Sequence, residues 1–133
     1  MTTTSATTGA KTTYAVLLPG DESTWEAATA EERATMYARH EEFSRLLAER
    51  GHVVVGGAEL THSRTAKVVR SSANGSGVVV SDGPYAETVE QLSGFYLVQS
   101  DDLDDLLEIC GLLAGADGGV EVRATVDHQG EPS

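Results

Sequence analysis

One helix, marked at both ends and set between two strand-like runs, limits the fold more than any other feature of the sequence. Thr29 is followed three residues later by Glu32, the pattern of a capping box, and Glu31 and Glu32 put negative charge at the positive helix end. Gly51 is a typical residue just past a helix C-terminus, so the spacing predicts a helix from Thr29 to about Arg50. Met36, His40, Phe43 and Leu47 recur along it at helical spacing and mark one stripe. Before the helix, residues 13–18 form a β-branched, apolar run that Pro19-Gly20 stops. After it, residues 52–60 read as a second strand, in which Gly56-Gly57 marks a bulge or a close backbone approach.

The rest of the chain continues the alternation. Residues 65–71 and 77–81 read as a hairpin around Asn74-Gly75, a strong tight-turn signal, and Asp82-Gly83-Pro84 then breaks the chain. Residues 86–92 suit one or two helical turns, and residues 94–99 a strand. Ser100, with Asp101 and Asp102 behind it, suits the cap of a second helix. Its apolar stripe is Leu103, Leu106, Leu107, Cys110 and Leu113, fading before Gly115, and residues 120–126 form a last strand. The order is β-α-β-β-α-β with an inserted hairpin. It predicts an α+β fold, a ferredoxin-like α/β sandwich with two helices on one face of an antiparallel sheet. The other face is apolar enough to predict a homodimer, sheet against sheet. Residues 1–12 are expected to be a disordered tail, residues 13–126 the domain, and residues 127–133 a polar C-terminal tail.

Charge narrows the partners. Of the 133 residues, 21 are acidic and 9 basic, a formal charge of −12. Residues 1–81 are nearly balanced, whereas residues 82–133 hold 12 acids and a single base, Arg123. Phosphate binding needs clustered Lys and Arg, so nucleic acid and an anionic membrane surface are excluded as expected partners. The single cysteine, Cys110, allows no internal disulfide, which fits a reducing cytoplasm. The Thr-, Ser- and Ala-rich start lacks the basic and then apolar stretches of a signal peptide, and no run approaches a membrane span. The expected location is cytoplasmic.

The run from Ser81 through Asp82-Gly83-Pro84-Tyr85-Ala86-Glu87-Thr88 to Gly94-Phe95-Tyr96 and the acidic helix start resembles the signature of the YCII-related proteins, in their DGPF-domain branch. His40-Glu41-Glu42-Phe43, Gly51, Gly56-Gly57 and Glu59-Leu60 are similar to the helix-to-strand segment of that family, and the likeness spans about residues 14–125. Here Tyr85 stands in place of the usual Phe, and Ala124 where a proline often follows the arginine. The resemblance implies a ferredoxin-like fold, usually a dimer with a cleft, and a His–Asp pair that would be His40 and Asp82. Similar domains also occur beside transcription machinery, especially alternative sigma factors.

His40 is the residue to watch. An imidazole takes and gives a proton near neutral pH, and this one interrupts an otherwise apolar stripe. Asp82 is expected to accept its Nδ1 proton and, with the acidic half around it, to favour the protonated form. The same pattern also suits a core histidine held by an aspartate for structure, and Asp82-Gly83-Pro84 is equally a turn former. Tyr85 and Tyr96 are candidate donors to a substrate oxygen, Trp25 a candidate lid, and Arg123 a candidate partner for a substrate carboxylate. The four histidines have no ligand spacing and the glycines form no nucleotide loop, so no metal and no cofactor is expected. Two readings follow. One is a small cofactor-independent enzyme, of lyase or isomerase type, moving a proton beside a carbonyl of a neutral or singly charged small molecule. The other is a non-catalytic ligand-binding or regulatory dimer, associated with a sigma factor.

Overall fold

The structure, a computed structural model, describes residues 11–115 and 118–128. Residues 1–10 of the expected N-terminal tail and residues 129–133 of the C-terminal one lie outside the described residues. The elements are β1 (Thr12–Asp21), α1 (Glu22–Ala27), α2 (Ala30–Glu49), β2 (Val53–Glu59), a single 3₁₀ turn (Ser63–Thr65), β3 (Lys67–Ser71), β4 (Val78–Asp82), β5 (Glu90–Ser100), α3 (Leu103–Cys110) and β6 (Glu121–Ala124).

The long helix is closed by the side chains that mark it. Thr29 Oγ1 accepts the Glu32 N–H at 3.0 Å, and the Glu32 carboxylate accepts the Thr29 N–H at 2.8 Å. Two donors that a helix start leaves free are thereby satisfied. At the far end Gly51 takes a φ of 87°, a conformation other residues adopt only at a cost.

Four strands form an antiparallel sheet in the order β2-β5-β1-β6, and β3 and β4 form a separate ribbon. This is the α+β, ferredoxin-like topology, with the ribbon inserted between the second and third core strands. Strand alternation sends Val16 and Val98 to the face covered by the helices, where they meet Phe43 and Leu47 of α2 and Leu106, Ile109 and Cys110 of α3. Burial pushes the Cys110 thiol up to about 11, so it packs as a small apolar side chain. Ala15 pairs with Arg123, so Arg123 lies on the opposite, helix-free face. No helix among the described residues is long and apolar enough to cross a membrane.

Several local expectations are corrected. Strand β1 does not stop at Pro19. The register shifts there so that Ser93 of β5 is the extra residue, and its hydroxyl donates to the Leu18 carbonyl at 2.7 Å. The shift accommodates a residue with no N–H to give. Residues 86–92 form no helix; Gln91 Nε2 instead donates to the Ala86 and Thr88 carbonyls and holds an irregular loop. The cap of α3 is Asp102, which accepts the Asp105 N–H, rather than Ser100. Leu103 and Leu107 are exposed, because the apolar stripe runs through Leu106, Ile109, Cys110 and Leu113.

Candidate functional site

His40 lies where the stripe of α2 crosses β5. Its neighbour Phe43 is wholly buried, whereas His40 itself is half-buried. Strand alternation brings Tyr96, two residues before Val98, up beneath it. His40 Nδ1 is 2.7 Å from the Tyr96 hydroxyl, the two rings stack with centroids 5.8 Å apart, and Phe43 supports Tyr96 from 5.0 Å. Gly57 of β2 pairs with Tyr96 at a φ of 148°. A Cβ there would stand 2.6 Å from the Phe95 carbonyl oxygen and 3.1 Å from Tyr96 Cα, so only glycine lets the strand approach this closely.

A second layer surrounds the pair. Tyr37, one turn before His40, donates its hydroxyl to the Glu59 carboxylate at 3.2 Å. Trp25 of α1 stands edge-on to Tyr37, with centroids 5.7 Å apart and planes at 90°. Arg33 fixes Trp25: its guanidinium donates to the Trp25 and Glu26 carbonyls at 2.9 and 3.2 Å and lies 5.1 Å from the indole centroid. Both carbonyls lie in the last turn of α1, and that of Trp25 also accepts the Ala28 N–H at 3.1 Å.

The electrostatics follow from burial. Burial pulls the His40 imidazole below its ordinary 6.5, and the Glu59 charge opposes this as the smaller effect. Burial, then Glu59, raises the Tyr96 phenol above 10.0, and the same two causes lead at Tyr37. At neutral pH the pair is therefore imidazole and phenol. The expectation that acidic surroundings keep His40 protonated is corrected, since desolvation outweighs the one carboxylate acting on it.

The sequence candidates separate. His40 and Tyr96 are in contact, and Trp25 packs on Tyr37, one turn along α2 from His40. Asp82 is not hydrogen-bonded to His40: its exposed carboxylate is paired with Lys67 Nζ at 2.5 Å, which holds it below the usual carboxylate value. Tyr85 is 80% exposed with Arg70 over its ring at 5.1 Å, and Arg123 pairs with Glu121 at 3.0 Å across the sheet from His40. A buried His–Asp pair does exist, formed by other residues. His52 Nε2 is 2.8 Å from Asp105 Oδ2, and its Nδ1 is 2.9 Å from Ser100 Oγ. His52 and Ser100 are 5% and 1% exposed, so this chain of groups is largely buried and ties the start of β2, the end of β5 and α3 together.

Glu59 and Tyr37 were not singled out by the sequence. Tyr37 lies one turn before His40, and Glu59 two residues beyond Gly57, which are signals that could have found them. Among the described residues no three His, Cys, Asp or Glu side chains are grouped to hold a metal ion. An open, mainly apolar groove of about 470 Å³ runs elsewhere, between the last turns of α2 and the β2 edge, lined by Ser44, Ala48, Gly51, His52, Val53 and Val54.

Comparison with known proteins adds two findings. The model of one family, described as the YCII-related domain, matches residues 12–127. An uncharacterized protein of Rhizobium meliloti (strain 1021) is 37% identical over 113 residues, which is 83% of this chain and 89% of that protein.

Proposed function

Since the chain belongs to the YCII-related domain family, and since it holds a neutral imidazole against a phenol at the edge of its core, we propose that it is a small enzyme using His40 for general acid/base chemistry beside a carbonyl. The reactions this suits are isomerisation, elimination, dehydration or cyclisation of a small organic molecule. The single observation that carries the reading is the 2.7 Å contact between His40 Nδ1 and the Tyr96 hydroxyl on a half-buried ring. With Nδ1–H donating to the Tyr96 oxygen, Nε2 has a free lone pair and accepts a proton from carbon. The resulting imidazolium returns that proton to a neighbouring atom of the substrate. Tyr96 thereby takes the place at Nδ1 that the sequence assigned to Asp82, without a charge.

We infer also that the chain acts as a homodimer. The support is the helix-free face of the sheet and the ribbon, on which Val69, Val78, Val79 and Val80 are all more than half exposed. A second reading, a binding or regulatory module, is favoured by Leu103 and Leu107, an exposed pair one turn apart on α3, each followed by an acid, Asp104 and Glu108.

A proton-moving enzyme run in D₂O labels its own substrate. Incubated with a small-molecule extract, the protein should add deuterium to a metabolite detected by mass spectrometry. His40→Gln should slow that labelling by about 10²–10⁴-fold, and Tyr96→Phe by less. The rate should rise with pH through a value below 6.5 and level off, because the unprotonated ring is the active form. Labelling that His40→Gln leaves intact, or none at all, defeats the reading.

A further inference from the structure

Glu59 differs from the other carboxylates around it. Glu26 is paired with Arg64 at 2.6 Å and Asp82 with Lys67 at 2.5 Å. Glu59 has no ion pair among the described residues, only the neutral hydroxyl of Tyr37. Its position is set by the strand register. Gly57 pairs with Tyr96 and Glu59 with Gly94, so Glu59 projects on the same sheet face as Tyr96, the face His40 covers. Gly94 lets β2 approach closely here, since a Cβ there would stand 2.9 Å from the Ala58 carbonyl oxygen and 3.5 Å from Glu59 Cα. Its charge acts on Tyr37, Tyr96 and a His40 that burial keeps neutral, and Tyr37 in turn meets the Trp25 ring. Arg33, whose charge also reaches Tyr37, is fastened to two backbone carbonyls and the Trp25 ring.

A single carboxylate among aromatic rings is the arrangement that recognises a cation, because ring faces and carboxylate both attract positive charge. We propose that Glu59 is the counter-charge for the ligand, and that the site takes a small molecule carrying a protonated nitrogen next to an apolar or aromatic group. This rests on the reading of His40 and Tyr96 as the reacting pair and names the class of molecule they act on. Placing the ammonium group at Glu59 puts the adjoining carbon skeleton under His40. An anionic group in that position would face Glu59 with no free cation to offset it.

The test uses three probes of one shape and different charge: benzylamine, benzyl alcohol and benzoate. Each is titrated into the full chain at up to about 20 mM, a range that detects weak single-site binding, while the His40 and Tyr96 ring signals are followed by NMR. Protonated benzylamine should bind at least about tenfold more tightly than benzoate, a factor worth about 1.4 kcal/mol. Glu59→Gln should bring the ratio close to one, Tyr37→Phe should lower it in part, and added salt should weaken it. Glu59 is exposed, so the Gln variant is expected to fold, which its thermal unfolding checks. A preference for benzoate, a ratio unchanged in Glu59→Gln, or no probe moving the His40 signal each overturns the proposal. Deuterium labelling separates the two readings. Labelling lost in His40→Gln with no Glu59-dependent charge preference overturns only the ligand class. A charge preference with His40-independent labelling, or with none, overturns only the acid/base role.

Discussion

His52 is buried with each ring nitrogen against an oxygen, one from Ser100 and one from Asp105. Burial of a polar ring costs stability unless both nitrogens are satisfied, and here they are. The Asp105 carboxyl is held below its ordinary 3.8, first by His52 and also by Arg50, against the opposing effect of burial. A depressed carboxylate contributes stability that is complete above its unfolded value and is lost as pH falls through the folded one. Acid unfolding should therefore steepen below pH 3.8, and Asp105→Asn should flatten that limb, as followed by circular dichroism across an acid titration. The sequence did not reveal this group, because its members lie 48 and 53 residues apart and each has an ordinary local role. His40 was legible for the opposite reason: a lone titratable side chain on an apolar stripe stands out locally. Its partner was not, since Tyr96 reads as a candidate donor to substrate rather than to His40, and Asp82 sits in the more distinctive run.

At the level of elements, β2 shows how much one backbone position can carry. Its register slips between Val54 and Gly56, and Gly57 then passes close to Phe95 and Tyr96. Gly57→Ala must either move the strand or strain the chain, at a cost of about 1–3 kcal/mol, and should also disturb the His40–Tyr96 contact. Gly75→Ala is the control. Its φ of 72° is also positive, but nothing lies within 4 Å, so it should cost only the backbone penalty, about 1 kcal/mol. Urea unfolding of both variants compares them, and NMR of the His40 ring shows whether the Gly57 variant alone changes the site. The glycine pair was read as a bulge or close approach, and it is both. Caps made α2 legible to its last residues. Helix α1 was missed because six residues give no periodicity, and it depends on Asp21, Arg33 and Ser63 for its hydrogen bonds.

For the whole molecule, the ribbon is the part least accounted for by its own subunit. A two-stranded hairpin is marginal in water by itself, and of its valines only Val68 is buried. It is also the place where an acidic chain is locally basic, with Arg64, Lys67 and Arg70 against Asp82 between residues 61 and 82. A stable interface needs about 800 Å² from each partner, and a second copy laid over these valines and the open sheet face brings an acidic half to meet those bases. Sedimentation velocity should give a dimer for the natural chain and a folded monomer when Val69→Lys and Val80→Lys are combined; a natural monomer, or a dimeric variant, contradicts the assignment. The strand order of the sheet was legible from the element order, whereas the docking of the ribbon depends on packing that no local pattern records.

The central strand has a consequence for how the chain is made. Strand β1 pairs with β5, Thr12 against Ser100, and with β6, Tyr14 against Ala124. During synthesis it leaves the ribosome before the strands that flank it and waits several seconds for them, at about 5–20 residues per second. Until then Val16, Leu17 and Leu18 have no ladder to join. The sheet therefore assembles only after β5 and β6 have emerged, and an arrest within the ribbon would release a chain whose most apolar strand has an open edge on both sides.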